Sequence, residues 1–344
     1  MTPTPPEKRM GWEVARDLER EKSSILARII PERRQVQAAA GAVVVFFLVF
    51  LLGSWLAGET TRLDGRAMVA RGWEGSTEWG ILWTVVVLAM VFEFMDAAAG
   101  MGFGTALTPL LLLLGFEPLQ IVPAVMIQQA AAGLVGGFLH REFQNVEWRL
   151  RPLSETVRLW LIVAGAGGFA ATISISAVYG VLQVARFWIK LYVALLLLGM
   201  GVASLVQAHR ERDYHPRRML GFGLLAGFNK GVGGGGFGPV VTVGGLISGV
   251  PVKSMLAVTA LAEGTVSMLG AVVWTLWTAK GVQVDFVLVP SLMLATMVSA
   301  IAAPYLTRVF PERFWRGVVP AYCLVVAGIC VWKILPDLRA VIGG

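Results

Sequence analysis

Four ionisable residues stand within long apolar stretches of the sequence: Glu93, Asp96, Lys230 and Glu263. A charged side chain is costly at membrane depth, and residues of this kind usually bind a substrate, a proton or an opposite charge. Lys230 can attract an anion, and Asp96 or Glu263 can take up a proton and couple its movement to that of a solute. A buried Asp96–Lys230 ion pair that only holds two parts of the chain together is the alternative.

A glycine cluster follows two of these residues. The sequence after Asp96 reads AAAGMGFGTALTP, and the sequence after Lys230 reads GVGGGGFGP. Glycine permits positive φ angles and a close approach of backbone to a ligand, but it weakens a helix. We therefore predict that each cluster breaks a helix and contacts a ligand, in preference to the competing explanation that the glycines only allow tight helix packing.

A helix that restarts after a break exposes unpaired N–H groups and the positive end of its dipole. Thr105 suits a capping position at the first restart, and Pro239 suits the first position of the second helix. Two such N-termini that meet within the protein would bind an anion. Gln128, Gln129 and Asn229 add neutral donors that can bind an oxyanion, and ordinary hydrogen bonds between helices use the same groups.

The composition of the chain is that of a polytopic membrane protein. Of its 344 residues, 56% are hydrophobic and 15% are charged, whereas average globular proteins carry about 25% charged residues. The mean hydropathy is +0.70. This balance excludes a soluble enzyme, a nucleic-acid-binding protein and a secreted disulfide scaffold. The net charge of +7 is explained by basic loops on the cytoplasmic side of a membrane.

Cysteine and histidine form no catalytic or metal-binding pattern. Cys323 and Cys330 lie on one apolar stretch, about two helical turns apart and too distant for a disulfide. His140, His209 and His215 lie at or beyond the ends of apolar segments. We therefore expect no metal site, no cofactor and no enzymatic activity.

Most apolar segments are long enough to cross a membrane, but three are short. A spanning helix needs about 20 residues, and the short segments are 104–116, 218–231 and 238–250. Backbone that is not helical at membrane depth occurs where it is buried in protein or lines a cavity, so these segments indicate a transport site. The longer segments run near 36–57, 79–99, 119–140, 157–180, 186–207, 252–279, 285–307 and 315–335.

Basic loops predict the orientation of the chain. Arginines concentrate in 140–158, 209–218 and 308–316, and loops rich in Arg and Lys lie on the cytoplasmic side. We predict a multi-pass protein of the cell (inner) membrane with a cytoplasmic N-terminus and an external C-terminus. Residues 1–35 form a cytoplasmic N-terminal arm, in which 12–30 is either a helix on the membrane surface or a solvated, charged segment.

The sequence matches itself when it is shifted by 134 residues. Gly102-Phe103-Gly104 then meets Gly236-Phe237-Gly238, and the matched segments have similar lengths. The shift also pairs Asp96 with Lys230 and Gln129 with Glu263, so the two units differ at polar positions.

Each unit contains five membrane passes, and an odd number gives the two units opposite orientations. The sequence thus predicts an all-α polytopic membrane protein with two inverted repeats of five segments each, 79–207 and 218–335, each with a glycine-broken helical hairpin. Segment 36–57 is an extra N-terminal transmembrane helix outside the repeats.

The two glycine breaks, each followed by a short apolar helix and a long helix with scattered polar residues, resemble the TauE/SafE family of sulfite and organosulfonate exporters. The resemblance covers residues 79–335 and is clearest in GMGFGTALTPLLLLLGF and GVGGGGFGPVVTVGGLISGVP. It implies transport of a small sulfur-containing oxyanion such as sulfite, an organosulfonate or sulfoacetate. It also implies substrate contacts in the loops Gly102–Thr105 and Gly234–Pro239.

We therefore predict a secondary transporter that exports such an anion by alternating access, with proton coupling through Asp96 or Glu263. Its partners are the small anion and the lipid bilayer, and not nucleic acid. An uncoupled anion channel and an uptake permease for a similar anion are the alternatives, and an enzyme or a scaffold explains the polar positions less well. The predicted substrate-binding residues are Gly102, Phe103, Gly104, Thr105, Gln128, Gln129, Asn229, Lys230, Gly234, Gly235, Gly236, Phe237 and Gly238.

Overall fold

A computed structural model describes residues 10–70, 81–100, 103–178, 186–207, 214–281 and 284–342. Within these ranges the regular structure is helical, in agreement with the predicted all-α fold class. The helices are α1 (Glu13–Glu21), α2 (Ile25–Ile29), α3 (Arg33–Ala70), α4 (Trp83–Ala99), α5 (Thr108–Leu113), α6 (Pro118–Glu142), α7 (Glu155–Val178), α8 (Arg186–Gln207), α9 (Pro216–Gly233), α10 (Phe237–Ile247), α11 (Val252–Ala279), α12 (Val289–Val309) and α13 (Glu312–Ile342).

Several of these helices can cross a membrane, which supports the predicted polytopic membrane protein. By length and composition, the described spans are Arg33–Ala57, Leu119–Glu142, Glu155–Ser176, Val252–Ala279 and Val289–Val309. The first of them contains the extra segment predicted at 36–57. Its helix, α3, continues beyond the apolar part through a more polar segment and ends at Ala70.

The chain breaks at both glycine clusters. Helix α4 ends at Ala99 and Gly100 adopts the left-handed conformation (φ 69°), while α9 ends at Gly233 and Gly234 adopts it as well (φ 70°). These positive φ angles favour glycine, because a Cβ atom would be strained there. Each break therefore begins at a glycine that caps one helix before a short helix follows.

The two restarts differ from the predicted details. After the first break the chain forms a π-helical turn, Phe103–Leu107, before α5, so Thr105 lies inside a turn and is not the residue before a helix. After the second break Gly236 is the N-cap of α10 (φ 82°). Pro239 is consequently the third residue of that helix and not the first.

The helix boundaries recur at the spacing that also separates Gln129 from Glu263, which is 134 residues. The recurring boundaries are the ends of α4 and α9 at Ala99 and Gly233, the starts of α6 and α11 at Pro118 and Val252, and the starts of α7 and α12 at Glu155 and Val289. Gly115 and Gly249 each lie two residues after the end of a short helix, with φ angles of 90° and 89°. The same local structure is therefore built twice.

The two halves of the chain interleave. The most extensive packing joins α6 to α11, α7 to α9, α4 to α12 and α8 to α13, and each of these pairs takes one helix from each half. Glycines allow the closest approaches: a Cβ atom on Gly133 would lie 2.5 Å from the backbone N of Gly264. Small residues at such crossings let two backbones pack directly in a membrane protein.

The N-terminal arm packs partly on the helical bundle, which a fully solvated segment would not do; a helix on the membrane surface, the other expectation for 12–30, stays a prediction. Trp12 and Leu18 are buried, and the ring of Trp12 meets Tyr214 edge to face at 5.4 Å. Glu19 reaches the start of α11, where one of its oxygens lies 2.7 Å from Lys253 Nζ. Helix α2 and the residue that follows it expose apolar side chains at Ile25, Leu26, Ile29 and Ile30.

The α7–α9 crossing generates a stability prediction. A Cβ atom on Gly227 would lie 2.0 Å from the Gly167 carbonyl oxygen, whereas one on Gly221 of the same helix meets nothing within 4 Å. Gly227→Ala is expected to lower the free energy of unfolding by about 1–3 kcal/mol, since two backbones must separate. Gly221→Ala, the matched control, is expected to be neutral or to stabilise by up to about 1 kcal/mol. Thermal unfolding of the purified protein in detergent measures both, and equal melting temperatures would contradict the prediction.

Candidate functional site

A buried ion pair lies at the centre of the site. Lys230, in the last turn of α9, is fully buried, and its Nζ donates to Glu263 Oε1 of α11 at 2.7 Å. The same Nζ donates to Gln129 Oε1 of α6. Gln129 Nε2 in turn donates to Glu263 Oε1 at 3.0 Å. The ammonium is therefore held by one charged and one neutral acceptor from two different helices.

This geometry replaces the alternative ion pair considered for Lys230. Among the described residues its ion-pair partner is Glu263, and Asp96 instead accepts a hydrogen bond from the backbone N–H of Phe103 at 3.2 Å. Asp96 thus spans the first glycine break from the end of α4. Lys230 and Asp96 occupy equivalent positions in the two halves but make different contacts.

A second cluster of hydrogen-bonded polar side chains lies beside the Lys230 cluster, and it also includes a residue of α6. Gln128 Nε2 donates to Glu93 Oε2 of α4 and to Thr296 Oγ1 of α12, both at 2.7 Å. Gln128 and Thr296 are fully buried and Glu93 is nearly so. Successive glutamines on α6 therefore bind acids on different neighbours, Gln128 on α4 and Gln129 on α11.

These groups lie around a small cavity. Three of its lining residues are the acids Glu93, Asp96 and Glu263. Lys230 is not a lining residue and reaches the cavity through Glu263 and Gln129. The other lining residues are Ala97, Gly100, Gln129, Ala132, Gly133, Gly136, His140, Leu256, Thr259, Ala260 and Pro304.

The two glycine breaks lie against each other next to this cavity. A Cβ atom on Gly104 would lie 2.4 Å from the carbonyl oxygen of Gly234 and 2.7 Å from the Cα of Gly235. Thr242 donates to the Gly100 carbonyl oxygen at 3.2 Å. The breaks therefore support each other through backbone contacts, as two apposed loops.

The predicted substrate-binding residues fall into separate places. Gln129 lines the cavity and Gln128 hydrogen-bonds a lining acid, whereas the described glycines of the second break are not lining residues. Asn229 accepts from the Tyr192 hydroxyl at 3.0 Å, and its buried Nδ2 has no partner among the described residues. Gly102 lies outside the described residues, as does the side chain of Thr105. The remaining predicted residues are Phe103, which is buried, Gly236, the N-cap of α10, and Phe237 and Gly238, its first two residues.

The sequence predicted no role for two residues of the site, His140 and Thr296. His140 lines the cavity and is almost fully buried, although it is the last residue of the predicted apolar segment 119–140. Thr296 shares the Gln128 amide with Glu93. A threonine in an apolar helix is common, so only the tertiary contacts identify Thr296. For His140 the sequence does hold a signal, because the spacing of Gln129, Gly136 and His140 places them on one face of α6.

Comparison with known proteins agrees with this architecture. The family model described as sulfite exporter TauE/SafE matches residues 85–329. A protein of Bacillus subtilis (strain 168) named probable membrane transporter protein YtnM is 28% identical over 161 residues, which are 45% of this chain and 51% of that protein. This chain thus matches about half the length of that relative. No solved structure matches the chain.

The family match includes every residue that lines the cavity. Because it also spans well over half of the sequence, the chain belongs to the sulfite exporter TauE/SafE family, whose members are membrane transporters and not enzymes.

Proposed function

We propose that this protein is a secondary transporter that exports a small sulfur-containing oxyanion, such as sulfite, an organosulfonate or sulfoacetate, across the inner membrane. The observation that carries the proposal is the buried Lys230–Glu263–Gln129 cluster at the wall of a cavity that three acids line. A cation that is fully removed from water is costly, and in membrane proteins such groups mark the path of a substrate or ion.

The charge balance of the cavity supports proton coupling. Glu93, Asp96 and Glu263 line it, and the Lys230 ammonium is paired with one of them. Adding an anion to three ionised carboxylates and one ammonium would be strongly unfavourable in this buried space. An anion therefore enters together with protons on the acids, which links its occupancy to the proton gradient. Asp96 and Glu263 remain the coupling candidates, and Glu93 joins them.

Alternating access is the mechanism that the duplicated helix boundaries support. We assign the two halves to inverted repeats, 79–207 and 218–335, which rock around the cavity between them. The apposed glycine breaks lie where the halves meet, since Gly104 contacts Gly234 and Gly235. In this arrangement the N-terminus is cytoplasmic and the C-terminus external, as the basic loops predict.

The role of Lys230 is tested with the double variant Lys230→Met/Glu263→Gln. The double change removes both charges, so it avoids leaving one buried charge without a partner, which would destabilise the fold. We expect sulfite or organosulfonate flux in proteoliposomes to fall by about tenfold to a hundredfold, the usual value of a hydrogen bond to a charged group.

The matched control is Lys280→Met, which removes an exposed lysine at the end of α11. It should leave flux unchanged. Unaltered flux in a folded double variant would remove Lys230 from the transport mechanism.

Proton coupling is tested with Asp96→Asn, Glu93→Gln and the double variant Lys230→Met/Glu263→Gln, each measured separately. At least one variant is expected to lose the acceleration of anion flux by an imposed pH gradient while anion exchange at equal pH continues. An amide keeps the hydrogen bonds of the acid but cannot release a proton. Asp17→Asn, an exposed acid on α1, is the control and should keep the full response.

If all three variants respond to the gradient like the wild type, the coupling hypothesis is wrong. The same liposomes separate a transporter from an uncoupled channel, because only a coupled transporter concentrates the anion against its own gradient. The direction of concentration also separates export from uptake.

A further inference from the structure

A second polar side chain, His140, lies on the proposed substrate path at the far end of the cavity. Gln129, Ala132, Gly133, Gly136 and His140 line it from one face of α6. From Gln129 to His140 this face extends about 16 Å at the helical rise per residue. A small oxyanion cannot touch both ends at once, so His140 is separate from the Lys230 cluster.

The ring of His140 has one nitrogen occupied and one without a partner. Asn145 Nδ2 lies 3.1 Å from His140 Nδ1. The other ring nitrogen, Nε2, is buried and has no hydrogen-bond partner among the described residues. His140 itself is 1% exposed. A buried polar atom of this kind costs free energy unless a ligand or water completes it.

Pro304 determines which way the Asn145 amide faces. Asn145 Nδ2 donates to the Pro304 carbonyl oxygen at 2.8 Å, and a carbonyl oxygen accepts only. The atom near His140 Nδ1 is therefore the NH2 group, with its second hydrogen available for the ring. His140 Nδ1 accepts that hydrogen, so the ring is neutral and carries its own hydrogen on Nε2.

We propose that His140 Nε2–H is a second binding point for the transported oxyanion, where the anion waits between the α6–α7 loop and the Lys230 cluster. The inference rests on the proposed function and names a contact that the central cluster does not provide. Asn145 is a positioning residue, because it fixes the tautomer that presents a donor. A neutral donor binds an anion weakly enough for it to move on, as a path with several sites requires.

Nitrogen-15 NMR of histidine-labelled full-length protein tests the tautomer and the contact. The His140 signals are identified by their loss in His140→Gln. In the ligand-free protein we expect a neutral ring protonated at Nε2, and Asn145→Ala should shift the tautomer ratio toward Nδ1–H. Sodium sulfite is the probe, and its addition should shift Nε2 far more than Nδ1.

A ring that is protonated at Nδ1 or at both nitrogens in the wild type would overturn the inference. So would an Nε2 signal that does not move at any sulfite concentration used. Both measurements are made without transport, so they do not depend on the flux assay.

Kinetics in proteoliposomes provide the second measurement. Gln at position 140 offers a neutral N–H donor, whereas Leu has a similar size and no donor. We expect His140→Leu to raise the KM for sulfite by about tenfold or more, and His140→Gln to stay within about threefold of the wild type. Because glutamine can also accept the Asn145 hydrogen bond, the shift of the Nε2 signal by sulfite is the readout that separates a binding role from a structural role of the ring.

The two hypotheses fail differently. Absence of flux in the wild type would overturn the proposed function, whereas wild-type flux with an unchanged KM in His140→Leu would overturn only the role of His140. Thr275→Ser, at an exposed threonine of α11 whose hydroxyl donates to the Ala271 carbonyl oxygen of the same helix, serves as the control and should leave KM unchanged.

Discussion

The burial of the Lys230 ammonium constrains the rest of the structure. An ammonium without solvent in an apolar bundle must be neutralised by protein groups. Glu263 and Gln129 do this from α11 and α6, so α6, α9 and α11 must converge on one point. This convergence requires the helices to pack closely. Gly133 and Gly264 permit it, because without side chains they let the α6 and α11 backbones come into contact. The charge and the glycines are therefore parts of one arrangement, in which the ion pair needs the close crossing and the crossing encloses the cavity.

The same local backbone structure occurs twice at the site, but its two copies carry different side chains. Equivalent positions hold Asp96 and Lys230 at the ends of α4 and α9, and each precedes a left-handed glycine. The backbone is similar because glycine chemistry is the same in both halves, but the side chains carry opposite charges. Asp96 stays with its own break through Phe103, while Lys230 reaches across to Glu263. A duplicated scaffold thus supports an asymmetric charge distribution, and this asymmetry is what distinguishes the site from a packing motif.

The sequence predicted the helix breaks well, because glycine leaves a strong local signal, but it did not predict the pairing of charges. The repeat offset relates Gln129 to Glu263 and Asp96 to Lys230, and only the first pair is in contact. The sequence shows that two residues occupy equivalent positions of the repeat, but it does not show whether they touch. Only the packing of the helices shows which pair is in contact. The same limit applies to His140, whose importance depends on Asn145 and the Pro304 carbonyl oxygen from another helix. It also applies to the arm, since the pattern around Trp12 and Leu18 marks them as apolar without saying what covers them.

The docked arm has a consequence for the order in which the protein is assembled. Glu19 accepts a hydrogen bond from the backbone N–H of Glu312, which follows it by 293 residues, and it pairs with Lys253 at the start of α11. These partners do not exist while the first part of the chain is being synthesised. The arm leaves the ribosome before these partners and obtains its full binding surface only when the start of α13 has been made. Its charged groups must stay hydrated until then, so docking of the arm is a late step of biogenesis and a marker that the bundle beneath it is complete.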